Sequence, residues 1–340
     1  MVSLRRFAKM AGVSPSTVSR IFSNNGYAAK ETRDRIIALA EACSFRPSVI
    51  RPASPLGNTH SIGVVLPSLG ISYFADIFQG IQSRLFIKKF LPILVDASIT
   101  SERDAVNRLI DHKVDGLILS LVGETLDTSC FKNILHLNLP MISIGSVTAG
   151  FNCDVVDGDD MNGGLLATEH LIALGHTRIG FCFYGEGINS SCNQRFLGFR
   201  RALEKHRLPY REKYSARIRP GADNRDLCLK DDLSRILSAK NAPTAFFAPT
   251  DLIALSIYEV AGKLKISIPG QLSVVGFADL GFAPHIAPPL TTIRQDGFAI
   301  GRTSAELILK RLDDTAEEKT RTIVPVELIL RNSTCKCPLE

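Results

Sequence analysis

From residue 61 onward, short apolar runs alternate with segments of helical period. No other feature of this chain restricts its fold as strongly. The apolar runs lie at 62–66, 91–95, 116–121, 141–144, 178–183, 244–248 and 272–277. Near-continuous runs such as Ile62-Gly63-Val64-Val65-Leu66 suit strands buried on both faces. Segments of helical period fall between and after them, at 74–87, 101–112, 161–174, 193–206, 226–239, 252–264 and 298–312. Strand alternating with helix predicts parallel α/β layers, and the length predicts two lobes rather than one doubly wound unit. A crevice at the carboxyl ends of the strands is the expected ligand position.

The first sixty residues read differently. Leu4, Phe7, Ala8 and Ala11 fall three or four apart and share one helical face. Gly12 can take the backbone angles that end a helix. Ser14 suits an N-cap and Pro15 a first helical position. Val18, Ile21 and Phe22 give the second helix an apolar side, and Ser16, Thr17, Ser19, Arg20 and Ser23 give it a polar one. A helix of that kind suits the major groove of DNA.

Charge follows the same division. Residues 1–60 hold nine Lys+Arg against three Asp+Glu, which is +6; the whole chain holds 40 against 34, also +6. Residues 61–340 are therefore neutral overall, and the net positive charge lies in the first sixth of the chain, as phosphate binding requires. The 45% hydrophobic content is ordinary for a protein with a large core. No apolar run approaches the ~20 residues of a membrane span. The chain opens on a polar, basic helix rather than an apolar signal stretch, so a cytoplasmic protein is expected. Its eight cysteines are scattered, several inside apolar runs. The close pair Cys335-Lys336-Cys337 lacks a second ligand pair, and no metal site is expected. Asp157-Gly158-Asp159-Asp160 lacks calcium-loop spacing and is expected to precede and cap the helix at Met161.

The ordered motifs resemble the LacI/GalR family of bacterial transcriptional regulators. Ala11-Gly12-Val13-Ser14, Thr17-Val18-Ser19-Arg20 and Glu31-Thr32-Arg33 stand in the register of its N-terminal pattern. Further matches are Glu169 to His176 with Arg178-Ile179-Gly180, Gln194 to Phe199, Pro243 to Ala248 with Asp251 and Ala254, Ser273 to Phe277, and Pro288 to Ile293 with Gln295 and Gly301. The resemblance covers nearly the whole chain. It implies an all-α helix-turn-helix DNA-binding headpiece at 1–46 and a hinge or linker at 47–60. A two-lobed α/β core of two Rossmann-like parallel sheets, like periplasmic binding proteins, would span 61–335. The first lobe would take about 61–158 plus 294–320, the second about 159–293 plus 321–335. The implied partners are a palindromic double-stranded operator, a small carbohydrate-like effector and a second copy in a homodimer, with no cofactor and no membrane.

Carried onto this chain, the resemblance assigns DNA contacts to Ser3, Leu4, Ser14, Pro15, Ser16, Thr17, Ser19, Arg20 and Tyr27. Pro15, Ser16 and Arg20 match base-facing positions, and Arg20 suits a bidentate contact to guanine. Ala11, Gly12, Val13 and Val18 build the motif. In the family a hinge helix inserts a leucine into the minor groove. Here Ser54 aligns with that leucine and Leu56 lies two residues on, while Pro52 and Pro55 work against helix. Insertion is expected to be weak, absent, or carried by Leu56.

The effector positions are Tyr73, Phe74, Gly145, Ser191, Arg195, Thr250, Asp251, Asp279 and Gln295. Arg195 matches the family's ligand-clamping arginine, and Ser191 shares its helical face. Gly145 stands where an acid is common, and Ala278-Asp279 where an acid pair is common. Asp251 reads equally as ligand contact or helix N-cap. Tyr73 and Phe74 read as ring-stacking residues or as core, and His170 and His176 as satisfied polar groups near helix ends. The leading reading is an effector-responsive DNA-binding regulator, usually a repressor. A solute-binding protein and an α/β sugar or nucleotide enzyme are the alternatives. Catalytic residues are not expected, because the chain has no G-x-G-x-x-G after a strand, no phosphate-binding P-loop and no G-x-S-x-G.

Overall fold

The computed structural model describes residues 4–22, 30–42, 59–121, 139–145, 153–184, 191–217, 225–313 and 318–338. The chain divides into two compact units, 1–58 and 59–340. In the first, α1 (Leu4–Ala11), α2 (Pro15–Phe22) and α3 (Lys30–Ala42) surround a small core. Phe7, Ala8, Ala11, Val18, Ile21, Ile36 and Ala40 are buried together, with Val13 and Leu39 against them. Gly12 takes a φ of +66° and turns the chain out of α1. Ser14 then caps α2: its Oγ accepts from the Thr17 N–H at 3.1 Å and lies 2.8 Å from the Thr17 hydroxyl.

The second unit is built on two six-stranded sheets. In chain order its elements are β1 (Ser61–Leu66), α4 (Ser72–Ile87), β2 (Leu91–Asp96), α5 (Glu102–Asp111), β3 (Gly116–Leu119), β4 (Met141–Ile144), β5 (Asp154–Gly158) and α6 (Asp160–Ala173). There follow β6 (Ile179–Phe183), α7 (Ser191–Lys205), β7 (Ser215–Arg217), α8 (Arg225–Leu237), β8 (Ala245–Phe247), α9 (Asp251–Lys263) and β9 (Ser273–Ala278). The last are β10 (Thr291–Gln295), α10 (Gly297–Leu312), β11 (Arg321–Val324) and β12 (Val326–Ile329). The strand orders are β11-β5-β4-β3-β1-β2 and β12-β10-β9-β8-β6-β7. Every pairing is parallel except β10 with β12.

Alternation along β1 fills both faces of the first sheet. Ile62, Val64 and Leu66 join Ile77, Ile81 and Ile300 on one side, while Val65 joins Val106, Leu109 and Leu117 on the other. The second sheet does the same, with Phe246 and Val274 on one face and Phe181, Phe247, Val275 and Phe277 on the other.

The lobe boundaries depart from expectation at the last crossovers. Residues 294 and 295 continue β10 in the second sheet. Residues 321–324, expected in the second lobe, pair with β5 in the first sheet. Pro325 lacks a donor and separates β11 from β12, so the chain changes sheets there. The strand β5 was not legible because aspartates sit at both its ends; Asp154 is buried under a two-bond contact from Arg311, at 2.7 and 2.9 Å.

One close helix crossing braces each lobe. A Cβ on Gly301 would fall on the Ile77 carbonyl and the Ile81 nitrogen, where α10 crosses α4. A Cβ on Gly198 would fall on the Met161 carbonyl, and one on Gly164 on the Arg195 carbonyl, where α7 crosses α6. The second crossing fixes the backbone that carries Arg195.

Candidate functional site

In the headpiece, α2 begins at Pro15, which is exposed, and Thr17 is half-buried against the Ser14 cap. Val18 and Ile21 are buried. The side chains of residues 16, 19 and 20 lie outside the described ones. Leu4 begins α1. Ser3, Tyr27 and Leu56 lie outside the described residues, as do hinge residues 47–58.

In the core, the expected effector residues lie at the carboxyl ends of parallel strands of both sheets or on the segments that follow them. Tyr73 and Phe74 open α4 after β1, and Gly145 follows β4 with a φ of +85°. Ser191 and Arg195 lie on α7, Thr250 and Asp251 follow β8, Asp279 follows β9 and Gln295 ends β10. Ser72 of the first lobe accepts from the Gly281 N–H of the second at 3.4 Å. A Cβ on Gly158, at the end of β5, would lie 2.6 Å from the Gln295 amide nitrogen, so two crossovers also touch.

Arg195 is the centre of this region, and the structure gives most of its donors internal partners. Its Nε donates to Asp160 Oδ1 at 2.8 Å, one terminal nitrogen to the Pro249 carbonyl at 2.5 Å and the other to Gln295 Oε1 at 3.2 Å. The Gln295 amide donates in turn to Asp160 at 3.3 Å. The guanidinium lies 3.8 Å from the Phe277 ring centroid. Its side chain is 7% exposed and that of Asp160 is 3%. Burial opposes the charge on Arg195, but Asp160 and the neighbouring tyrosine outweigh it and hold the guanidinium protonated. Burial pushes the Asp160 carboxyl up, while Arg195 and a hydrogen bond from Ser191 pull against it. Asp160 was read from sequence only as part of a capping cluster. Asp159 does accept from the Asn162 N–H at 3.2 Å, and Asp160, one residue later, turns inward to the arginine.

Asp251 is fully buried. The cap of α9 is Thr250, whose hydroxyl accepts from the Ile253 N–H, so the N-cap reading of Asp251 is corrected by one residue. Asp251 instead accepts from Thr292 Oγ1 at 2.6 Å and from the Leu280 N–H at 2.7 Å, tying β8, β9 and β10 together. Asp279 is likewise engaged, by Arg294 at 2.8 Å and Arg331 at 2.6 Å. Tyr73 and Phe74 meet edge to face at 5.2 Å and pack on the first-sheet core. Burial first, then Asp160, pushes the Tyr73 phenol up, which places this first-lobe ring within electrostatic reach of the second-lobe pair. Tyr184, just past β6, was missed by the sequence reading. Its phenol is pushed up to about 12, chiefly by burial, and its only sequence signal was an aromatic at a strand end. His176 is fully buried, with Thr244 at 2.9 Å and Ser273 at 3.0 Å on its two nitrogens, and so belongs to the scaffold.

Burial pushes the Asp251 carboxyl up to about 6, against its two hydrogen bonds. A carboxyl raised on folding stabilises fully below its unfolded value near 3.9 and loses that contribution as pH rises through 6. The stability of the wild type minus that of Asp251→Asn is therefore expected to increase as pH falls from 7 to 4. Urea midpoints across that range read this difference; a flat one would remove the proposed titration.

Comparison with known proteins bears on the family. Residues 3–48 match the model described as bacterial regulatory proteins, lacI family, and residues 168–334 match the periplasmic binding protein-like domain. The HTH-type transcriptional repressor PurR of Haemophilus influenzae is 28% identical over 98% of each chain. The chain carries a lacI-type DNA-binding domain and a periplasmic binding protein-like domain, and its relatives are lacI-family regulators. It is thus a DNA-binding transcriptional regulator. A LacI-family regulator of Enterococcus faecium, solved with bound ribose, is 27% identical with a TM-score of 0.70, covering 82% of this chain and 100% of that one. The Lac repressor dimer bound to operator shares the fold at 24% identity and a TM-score of 0.69, over 98% of this chain and 99% of that one. Among the described residues no helix is long and apolar enough to cross a membrane.

Proposed function

We propose that this protein is a cytoplasmic repressor that binds a palindromic operator as a homodimer. A small polar, sugar-like ligand held between the lobes would set its DNA affinity, and no catalytic step is involved. The observation that carries this reading is the gathering of Tyr73, Ser191, Arg195, Thr250 and Gln295 from both lobes at the carboxyl ends of the strands. The naming of the Haemophilus relative as a repressor and the ribose in the Enterococcus relative support it. With Asp251 and Asp279 held by internal partners, ligand recognition falls to Arg195, Tyr73, Phe74 and the Gly145 turn. Ser14, Pro15, Ser16, Thr17, Ser19 and Arg20 would meet the operator, with Ser3, Leu4 and Tyr27 on the backbone and Leu56 beside the minor groove.

Arg20 is expected to carry one base-pair preference. Arg20→Ala should weaken operator binding about tenfold or more and flatten the preference at a single position in each half-site, a loss of about 1–3 kcal/mol. Selection of duplexes from random sequence with both proteins reads this directly. Identical preferences for wild type and variant would exclude Arg20 from base reading.

A further inference from the structure

The core as a whole is neutral, yet one stretch of it carries a local excess of positive charge. Residues 200–217 hold seven Lys+Arg against two acids. They run from the last turns of α7 through the turn at Arg207, whose φ is +55°, to the short helical turn Glu212–Tyr214 and β7. Arg201, Lys205, Arg207, Arg211, Lys213 and Arg217 are all exposed.

An aromatic floor lies under this face. Phe183 meets Phe196 at 4.6 Å, and Phe196 meets Tyr210 at 5.4 Å. Arg217 lies 4.0 Å above the Phe183 ring and Arg200 lies 5.3 Å above Tyr210. Guanidinium groups stacked in this way are held flat and lose less freedom when they bind an anion. Glu204 pairs with Arg200 at 3.0 Å, Glu212 with Arg217 at 2.8 Å and Glu169 with Lys205 at 2.7 Å. Among the described residues, Arg201, Arg207 and Arg211 have no carboxylate partner. Favourable placement at the negative end of α7 accounts for Lys205 and Arg207. It does not account for Arg211, Lys213 or Arg217, which lie beyond the helix.

We propose that this face docks an acidic segment of a partner protein. The three carboxylates set among the cations argue against a nucleic-acid backbone, whose evenly spaced phosphates would meet them. A protein partner can place its own carboxylates opposite Arg201 and Arg211 and lay side chains over Tyr210 and the exposed Leu197, in keeping with the arginine and tyrosine content of protein interfaces.

The test uses the full chain, a fluorescein-labelled twelve-residue peptide of alternating glutamate and tyrosine, and the double variant Arg201→Glu with Arg211→Glu. Wild type should bind the peptide saturably and the double variant at least tenfold more weakly, with operator affinity and urea midpoint unchanged. Equal binding by both proteins would overturn the proposal. So would a non-operator DNA duplex that competes with the peptide and loses affinity in the double variant to the same extent. Salt-sensitive self-association by light scattering, abolished in the double variant, would replace the partner with a second copy of the chain.

Discussion

Replacing Arg195 with methionine is expected to lower the stability of the core by about 3–5 kcal/mol at pH 7, the usual cost of stranding one member of a buried ion pair. Asp160 would lose its cation in a nearly sealed site and either carry an unpaired charge or take up a proton, with Ser191 and Gln295 as its remaining partners. The Pro249 carbonyl and Gln295 Oε1 would lose their donors as well. The double replacement Arg195→Met with Asp160→Asn removes charge from both sides, so it should cost clearly less than the single one. Circular dichroism in urea is the appropriate readout, because the chain has no tryptophan. A loss below about 1 kcal/mol for the single variant, well under the range for a buried pair, would show that the pair is not held as described. Because the same arginine would also face the ligand, the single variant should lose any effector response even where it remains folded.

The second large effect is expected at the helix crossings. Gly198→Ala and Gly301→Ala should each cost about 2–3 kcal/mol, at the upper end for overpacking, because the added methyl meets backbone rather than a side chain that can move. The two changes act on different lobes and should add when combined. Gly262 provides the control. It lies within α9 with nothing within 4 Å of its added carbon, so Gly262→Ala should gain about 0.5–1 kcal/mol through backbone entropy. Urea midpoints for the three variants check both signs. Losses at Gly198 and Gly301 no larger than the shift at Gly262 would mean that the helices are not in the described contact. The functional link is local: Gly164 and Gly198 set the height of α7 over α6, and that height brings Arg195 to Asp160.

What could be read from the sequence was whatever depends on neighbours along the chain. The turn at Gly12, the Ser14 cap and the face made by Phe7, Ala8 and Ala11 are local, and all three stand in the structure. The buried strands with unbroken apolar runs were equally plain. The strand β5 was hidden because Asp154 and Asp157 make it look like a loop. Their partners Arg311 and Arg321 lie more than 150 residues away, so no local pattern could announce that these carboxylates are buried. The same holds at the core site. The family resemblance singled out Arg195, yet its partners Pro249 and Gln295 come from other strand ends. Asp251 could be weighed only as cap or contact; its real work, joining Leu280 and Thr292, belongs to tertiary structure.

An intact reading head should make this chain a sequence-specific DNA-binding regulator. An anisotropy titration tests it most directly, comparing a duplex recovered by selection with a scrambled duplex at physiological salt. The selected duplex should bind at least about a thousandfold tighter than the scrambled one. Equal affinity for the two duplexes would contradict it.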